Sequence, residues 1–199
     1  MPSRQPGGRL SRDDWVEAAL EVIAADGLNA VAVEPIAARL GVTKGSFYAH
    51  FGARVDLITA ALERWRTLDT TEVLASLGPL SDARDRIAEF LDVGFGRDRW
   101  GRVFASLCAS ASDPLVAPVM DEVREERLAF LKAALEELGL TVVDAHDRST
   151  LIYAAYVGFW RLVAADPAWE YNGTGARERM AAHLVATLVP TQDARPNGR

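Results

Sequence analysis

The sequence has little of several features that mark particular classes of protein. It contains one cysteine in 199 residues, Cys108, which excludes a disulfide framework within the chain and fits a reducing cytosol. No apolar run approaches the roughly 18 residues that a membrane-spanning helix needs, and the N-terminus lacks the apolar segment of a signal peptide. Strand-like alternation between turn residues is nearly absent as well. These absences favour an all-α protein of the cytoplasm.

Catalytic and metal-binding motifs are also missing. The sequence has no Gly-x-Ser-x-Gly, His-Glu-x-x-His, Cys-x-x-Cys or P-loop pattern. Its histidines, His50, His146 and His183, lie far apart, without the spacing of metal ligands. We therefore predict that the chain is not an enzyme and that it needs no cofactor and no metal.

The charge is unevenly distributed along the chain. Its 28 acidic and 22 basic residues give a net charge of −6, which taken whole argues weakly against binding to nucleic acid. Residues 1–12 and residues 35–55, however, carry basic side chains and no acid. The net negative charge therefore lies in the rest of the chain.

Apolar residues recur at helical spacing along most of the chain, between glycines and prolines that end each segment. Helices are expected at about 12–26, 33–40, 44–50, 54–70, 82–95, 100–111, 115–138, 147–165 and 175–188. The first three predict a helix-turn-helix domain over about residues 11–53, and the others a larger domain of antiparallel helices over about 54–190. Residues 1–10 are expected to form a flexible arm, and residues 191–199 a disordered tail.

The segment VTKGSFYAHF, from Val42 to Phe51, has the pattern of a helix that reads DNA. Gly41 ends the preceding helix and leaves a turn of about four residues, the arrangement in which the second helix enters the major groove. Phe47 and Phe51 are four residues apart and should face a small core together. The side chains that remain outside are Lys44, Gly45, Ser46, Tyr48 and His50.

These exposed residue types suit the surface of DNA. Lys44 offers charge to a phosphate, Thr43 adds a hydroxyl beside the free N–H groups of the helix start, and Ser46 can reach either kind of base. Gly45 lets the backbone approach the groove closely. The plainer interpretation is an amphipathic helix whose polar face meets only water. It gives no reason for a glycine that costs such a helix about 1 kcal/mol relative to alanine.

Residues 42–58, VTKGSFYAHFGARVDLI, closely resemble the recognition segment of the TetR family of bacterial transcription regulators. The resemblance covers residues 11–58, and the rest of the chain matches only as a run of helices of suitable length. It implies a homodimeric repressor that binds a palindromic operator in double-stranded DNA and is released by a small-molecule effector bound in the larger helical domain. The DNA-contact positions that it implies are Thr43, Lys44, Gly45, Ser46, Tyr48, His50 and Arg54.

Two departures from the family pattern concern the start of the second helix. The family usually has Ser or Thr capping this helix and often Arg two residues later, where this chain has Ala32 and Glu34. Glu34 either accepts from a cytosine amino group or points away and leaves binding weaker, and we favour the second interpretation. The arm with Arg4, Arg9 and Arg12 either enters the minor groove or is a solvated tail.

The C-terminal helices carry the residues expected to form the dimer and to bind the effector. A homodimer reads both halves of a two-fold site, and small residues let helices of two subunits approach closely. The predicted dimer interface consists of Leu151, Ala154, Ala155, Gly158, Leu162, Ala182, Val185 and Ala186. The predicted effector pocket is lined by aromatic residues, for each of which core packing is the competing role: Trp65, Phe90, Trp100, Phe104, Tyr153, Tyr156, Phe159 and Trp160.

An interaction module whose helix-turn-helix packs against another protein is the alternative of a different class. Glu34 and the net negative charge favour it. Salt dependence separates the two functions, because DNA binding weakens steeply as salt rises.

Overall fold

The computed structural model describes residues 10–96, 98–166, 168–169 and 172–191, and every regular element in them is helical. The predicted arm except Leu10, with Arg4 and Arg9, and the predicted tail from residue 192 lie outside these residues. The helices are α1 Arg12–Asp26, α2 Val33–Leu40, α3 Lys44–Phe47, α4 Arg54–Arg66, α5 Glu72–Leu77, α6 Ala83–Gly96, α7 Asp98–Ala109, α8 Val116–Glu137, α9 Val142–Ala165 and α10 Thr174–Leu188. The predicted all-α architecture is confirmed.

The first helix organises the N-terminal domain. Ser11 caps α1 by accepting a hydrogen bond from the backbone N–H of Asp14, whose carboxylate accepts in turn from the Ser11 N–H. Trp15, Ala19 and Ile23 follow at helical spacing and are fully buried. Helix α1 packs against α2 and α4 and also against α7 of the larger domain. One continuous apolar core therefore joins the two parts of the chain.

The turn between α2 and α3 depends on a left-handed residue. Gly41 has φ 71° and ψ 33°, a conformation that costs glycine little because it has no Cβ. Val42 then donates to the carbonyl of Ala37 over 3.0 Å and closes the end of α2. The helix that follows is shorter than the seven residues predicted, because α-helical structure covers only Lys44–Phe47 and a turn continues to His50. Glycine and serine, both weak helix formers, occupy half of this short helix.

The fourth helix is longer than predicted and changes its pitch on the way. After α4, residues Thr67–Thr71 form a π-helical turn, and α5 continues to Leu77. Asp69 and Thr70, on this turn, are buried polar residues in an otherwise apolar face. The periodicity of the sequence could not predict this widening of the helix, because it accommodates a polar contact to α8 described below.

The larger domain is a bundle in which α8 packs on α9, α10 on α6, and α7 on both α9 and α1. A close approach fixes α7 against α9. The ring of Trp160 lies directly over Gly101, where an added Cβ would come within 2.0 Å of the ring. Only glycine therefore fits at this crossing.

Candidate nucleic-acid interface and the effector domain

The helix-turn-helix holds α3 from behind through aromatic contacts. The ring of Phe47 is fully buried, and its centroid lies 5.3 Å from that of Trp15 and 5.5 Å from that of Phe51. Tyr48, the next residue, is 58% exposed. The predicted assignment of faces is confirmed, since the two phenylalanines anchor α3 to the core and the tyrosine stands on the outer surface.

The polar residues of the outer surface are brought together by this short helix and its turn. Thr43, Lys44 and Gly45 are exposed, whereas Ser46 and His50 are half-buried. Thr43 occupies the N-cap position, but its hydroxyl makes no capping hydrogen bond. A Cβ added to Gly45 would meet the Thr43 Oγ1 at 3.6 Å, an ordinary contact. Nothing inside the protein therefore requires glycine at position 45.

Lys44 is paired across the turn with the residue that departs from the family pattern. Its Nζ donates to the carboxylate of Glu34 over 2.8 Å, and both side chains are exposed. This hydrogen bond and the lysine charge hold the pKa of the Glu34 carboxyl below its usual value. Glu34 thus directs the cation of α3 toward the start of α2.

Arg54, at the start of α4, has partners inside the protein. Its Nε donates to the carbonyl of Val31 over 2.5 Å, and its second guanidinium nitrogen donates to that of Leu28 over 3.3 Å. These bonds tie α4 to the chain that enters α2. Arg54 borders the same concavity as Glu34 and Lys44, whose volume is about 460 Å³.

The helix-turn-helix domain matches the sequence model of a known protein family. The model described as bacterial regulatory proteins, tetR family, matches residues 16–61, from α1 into α4. Residues 16–61 therefore carry the N-terminal domain of the TetR family. Regulators of that family are DNA-binding proteins without enzymatic activity.

Solved structures extend the likeness in fold to the larger domain. A transcriptional regulator from Rhodococcus sp. Rha1 matches with a TM-score of 0.77 and 21% identity, over 90% of this chain and 96% of that one. A regulator from Saccharomonospora viridis in complex with choline has a TM-score of 0.76 and 19% identity, with coverages of 88% and 95%. AibR, in complex with isovaleryl coenzyme A and operator DNA, has a TM-score of 0.69 and 18% identity, with coverages of 90% and 98%. Comparison with curated proteins gives no match.

The aromatic residues predicted to line an effector pocket lie in the larger domain. Six of the eight are buried, and Trp100 and Tyr153 are half-buried. The centroids of Phe104 and Tyr156 are 4.9 Å apart, and Trp65 stacks at 6.3 Å from Phe104. Six of the rings, on α4, α7 and α9, are thus linked into a cluster by ring contacts, in part through Phe95 of α6, whereas Phe90 contacts Phe130 of α8 and Trp100 lies against Arg99.

The cluster surrounds a charge that the sequence analysis missed. Arg127 of α8 is buried, with its guanidinium 5.3 Å from the ring centroids of both Phe104 and Tyr156. It donates to the Asp69 carboxylate over 2.7 Å and to the Thr70 hydroxyl over 2.9 Å. Arg127 and Asp69 are 58 positions apart, and neither has a neighbour in sequence that marks it as buried.

The predicted dimer residues lie on the outside of the bundle. Leu151 and Leu162 of α9 are 56% and 54% exposed, unusual values for leucine on a long helix. Ala154 between them is exposed, and a Cβ on Gly158 would meet nothing within 4 Å. On α10, Ala182 and Ala186 are exposed, whereas Val185 and, on α9, Ala155 are half-buried.

Three further properties of the described residues concern thiol reactivity, metal binding and membrane insertion. Cys108 is half-buried, and burial raises the pKa of its thiol to about 11. Within the described ranges no group of His, Cys, Asp and Glu is arranged to hold a metal ion. No helix in the same ranges combines the length and the apolar character that a membrane crossing demands.

Proposed function

We propose that the chain is a homodimeric repressor that binds a palindromic operator through α3 and leaves it when a small molecule binds the larger domain. The observation that supports this best is the division of α3 into a buried face at Phe47 and an exposed face at Tyr48 and Lys44. A helix held in this way can enter a major groove without losing its own support. Because the operator would be chromosomal DNA, we also propose that the protein acts in the cytoplasm.

The proposed contacts follow from the chemistry of the exposed groups. Thr43, Lys44 and Tyr48 offer hydroxyl and ammonium donors to phosphates, and Ser46 and His50 reach the groove from the same surface. Arg54 has a different role in this proposal. Because its guanidinium already holds two backbone carbonyls, it fixes the position of α4 relative to the turn before α2.

Gly45 supports a close approach to an outside partner. Since the protein leaves room for a Cβ at this position, the glycine brings no advantage to folding. A DNA backbone or base edge against α3 would use the space instead. The absence of an internal reason for glycine is therefore an argument for contact with DNA.

The exposed stripe on α9 supports dimerisation. Leu151, Ala154 and Leu162 present apolar area, and Gly158 permits a close helix crossing. In a two-fold dimer, α9 and α10 of two subunits would form a four-helix bundle. The two copies of α3 would then lie about one duplex turn apart, ~34–36 Å.

Release by a small molecule is supported by proteins of similar fold whose structures contain small-molecule ligands. The Saccharomonospora viridis regulator was solved with choline, and AibR with an acyl coenzyme A as well as operator DNA. For this chain we propose the same principle, with the predicted aromatic cluster as part of the effector domain. Movement would pass along α4, whose inner face packs on α1.

Selection of bound sites from random duplex DNA tests the proposal. We expect the full chain to enrich a palindrome, with affinity that falls steeply as salt rises because phosphate contacts release counterions. The matched variant is Gly45→Ala, which should fold as the wild type does and lose at least tenfold in affinity for the enriched site, if a contact is worth roughly 1.4 kcal/mol or more. An unpatterned set of sites, or binding insensitive to salt, would favour the protein-interaction alternative.

Glu34 provides a second test of the same surface. In Glu34→Gln the carboxylate that holds Lys44 is gone, so the ammonium becomes available to a phosphate and a repulsive charge near the backbone is removed. We expect operator affinity to rise about twofold to fivefold, an effect of the size typical of an exposed ion pair. The slope of log affinity against log salt should become steeper by up to about one unit. Fluorescence anisotropy at several salt concentrations measures both.

The control for this variant is Glu137→Gln, which makes the same change of net charge on α8. Glu137 pairs with Arg86 and lies in the larger domain. The Glu137→Gln variant should leave both the operator affinity and its salt dependence nearly unchanged. A decrease in affinity for Glu34→Gln would instead show that Glu34 accepts a hydrogen bond from a base, the interpretation that we do not favour.

A further inference from the structure

A cavity lies at the seam between the helix-turn-helix domain and the larger domain. It has a volume of about 430 Å³, is partly open to solvent, and is lined by the end of α1, the 3₁₀ turn Leu28–Ala30, α7 and α9. Ile23, Ala105 and Val163 contribute buried apolar wall. We term it the seam cavity. Its size falls within the range of about 300–1,000 Å³ that is usual for small-molecule sites.

Two buried polar atoms of lining residues have no hydrogen-bond partner among the residues that the structure describes. They are the Oγ of Ser106 and the Nε1 of the fully buried Trp160. A Cβ on Gly27 would lie 3.7 Å from the Ser106 Oγ, so this hydroxyl faces the end of α1. Buried donors are rarely left unpaired in folded proteins, because the lost hydrogen bond to water is not replaced.

The chemistry of these atoms defines what would satisfy them. An indole N–H can only donate, and a serine hydroxyl can donate as well, so both are satisfied by an acceptor oxygen. The apolar wall suits a hydrocarbon body. Asp26 and Arg102, of opposite charge, are the exposed ionic residues of the lining and do not impose one sign of charge on an occupant.

We infer that the seam cavity binds a small apolar molecule with one carbonyl or carboxylate oxygen, which accepts hydrogen bonds from Ser106 and Trp160. Of the eight aromatic residues predicted for an effector pocket, Trp160 alone lines this cavity. The inference deepens the proposed function and rests on it for its consequence. A molecule there would contact the DNA-binding domain and the larger domain at once, so its binding would change how α1 packs on α7.

Calorimetric titration of the full chain with three probes tests the ligand class. The probes are 3-phenylpropionate, 4-phenylbutan-2-one and butylbenzene, which share a phenylalkyl body and differ in the oxygen. We expect saturable binding of at least one oxygen-bearing probe with Kd below about 1 mM, and binding of butylbenzene weaker by about fivefold or more, the effect of roughly one hydrogen bond. Ser106→Ala should weaken the tighter probe by a similar factor, and Ser76→Ala on α5 should not.

The indole N–H resonances in NMR spectra test whether the probe binds in the seam cavity. Trp15 and Trp65 also have buried Nε1 atoms without a partner in the described part of the chain, but they are not lining residues of the seam cavity. On addition of the tighter probe, the Trp160 resonance, assigned with Trp160→Phe, should move downfield while those of Trp15 and Trp65 stay in place. Because each is observed in the same spectrum, the two core tryptophans are internal controls.

Three results would overturn the inference: no saturable binding of either oxygen-bearing probe, equal binding of butylbenzene, or binding that leaves the Trp160 resonance unmoved. Filling of the cavity by ordered water alone would give the first of these. The binding test uses no DNA, and the operator test uses no probe. Failure of the probes would therefore leave operator recognition standing, and failure of operator recognition would leave the binding result intact.

Discussion

Replacing Arg127 with methionine should lower the melting temperature by about 6–20 °C. The guanidinium is buried and is the partner of the Asp69 carboxylate and the Thr70 hydroxyl. Removing one member of a buried ion pair costs about 3–5 kcal/mol, mainly because the other charge stays buried without a partner. For a chain of this length, each 1 kcal/mol lowers the melting temperature by about 2–4 °C. Differential scanning calorimetry measures the shift.

The double variant Arg127→Met with Asp69→Leu is the matched control. It removes both charges and fills their space with apolar side chains, a change that is often neutral or stabilising. We expect it to regain most of the lost stability, and the difference between the single and double variants measures the coupling of the pair. A single variant that melts within about 2 °C of the wild type would show that the ion pair contributes little.

Mutation of the adjacent residues Phe47 and Tyr48 should affect different properties, stability for Phe47 and operator affinity alone for Tyr48. Phe47→Ala removes a fully buried ring that contacts Trp15 and Phe51, and such truncations cost about 3–5 kcal/mol. We expect the helix-turn-helix to lose its fold, with loss of hydrogen-exchange protection in α1–α3 at neutral pH. Operator binding would disappear with it, as a consequence of unfolding.

Tyr48→Phe keeps the ring and removes only the exposed hydroxyl. Its stability should stay within about 0.5 kcal/mol of the wild type, as is usual at exposed positions. If the hydroxyl donates to a phosphate, operator affinity should fall by about tenfold or more, the weight of a hydrogen bond to a charged group. Unchanged affinity at moderate salt, together with an intact fold, would remove Tyr48 from the contact surface.

The contacts of Arg127 are made to a π-helical turn at the end of α4, where the helix can change its pitch. The π-helical turn Thr67–Thr71 lies between α4, which packs on α1, and α5, which packs on α6. Single π-helical turns are frequent at functional sites, because they put an extra residue into one turn of a helix. Under the proposed function, the effector domain and the DNA-binding domain are joined through this turn and through the seam cavity.

The positions of most helices followed closely from the sequence. The start of α9 did not, because Thr141 caps this helix by accepting from the Asp144 N–H, and it begins at Val142 rather than at about residue 147. The predicted ranges for α2, α6, α8 and α10 end within about two residues of the observed ones, since Gly41, Gly139 and neighbouring prolines mark their ends. The sequence also predicted that Tyr48 faces solvent, because the spacing of Phe47 and Phe51 puts both on the opposite, buried side of the helical turn. The short extent of α3 and the continuation of α4 through a π-helical turn did not, because local preferences and apolar spacing leave both open.

The sequence by itself determined the all-α class, the helix-turn-helix and the side of α3 that meets solvent. These depend on the spacing of residues within about ten positions, where backbone geometry relates sequence directly to direction. Only the tertiary structure decided that Arg127 meets Asp69, that Lys44 is held by Glu34, that Trp160 lies over Gly101, and that a cavity opens at Ser106. These contacts join residues 10 to 59 positions apart on different helices, and their partners depend on how whole helices pack rather than on any local pattern.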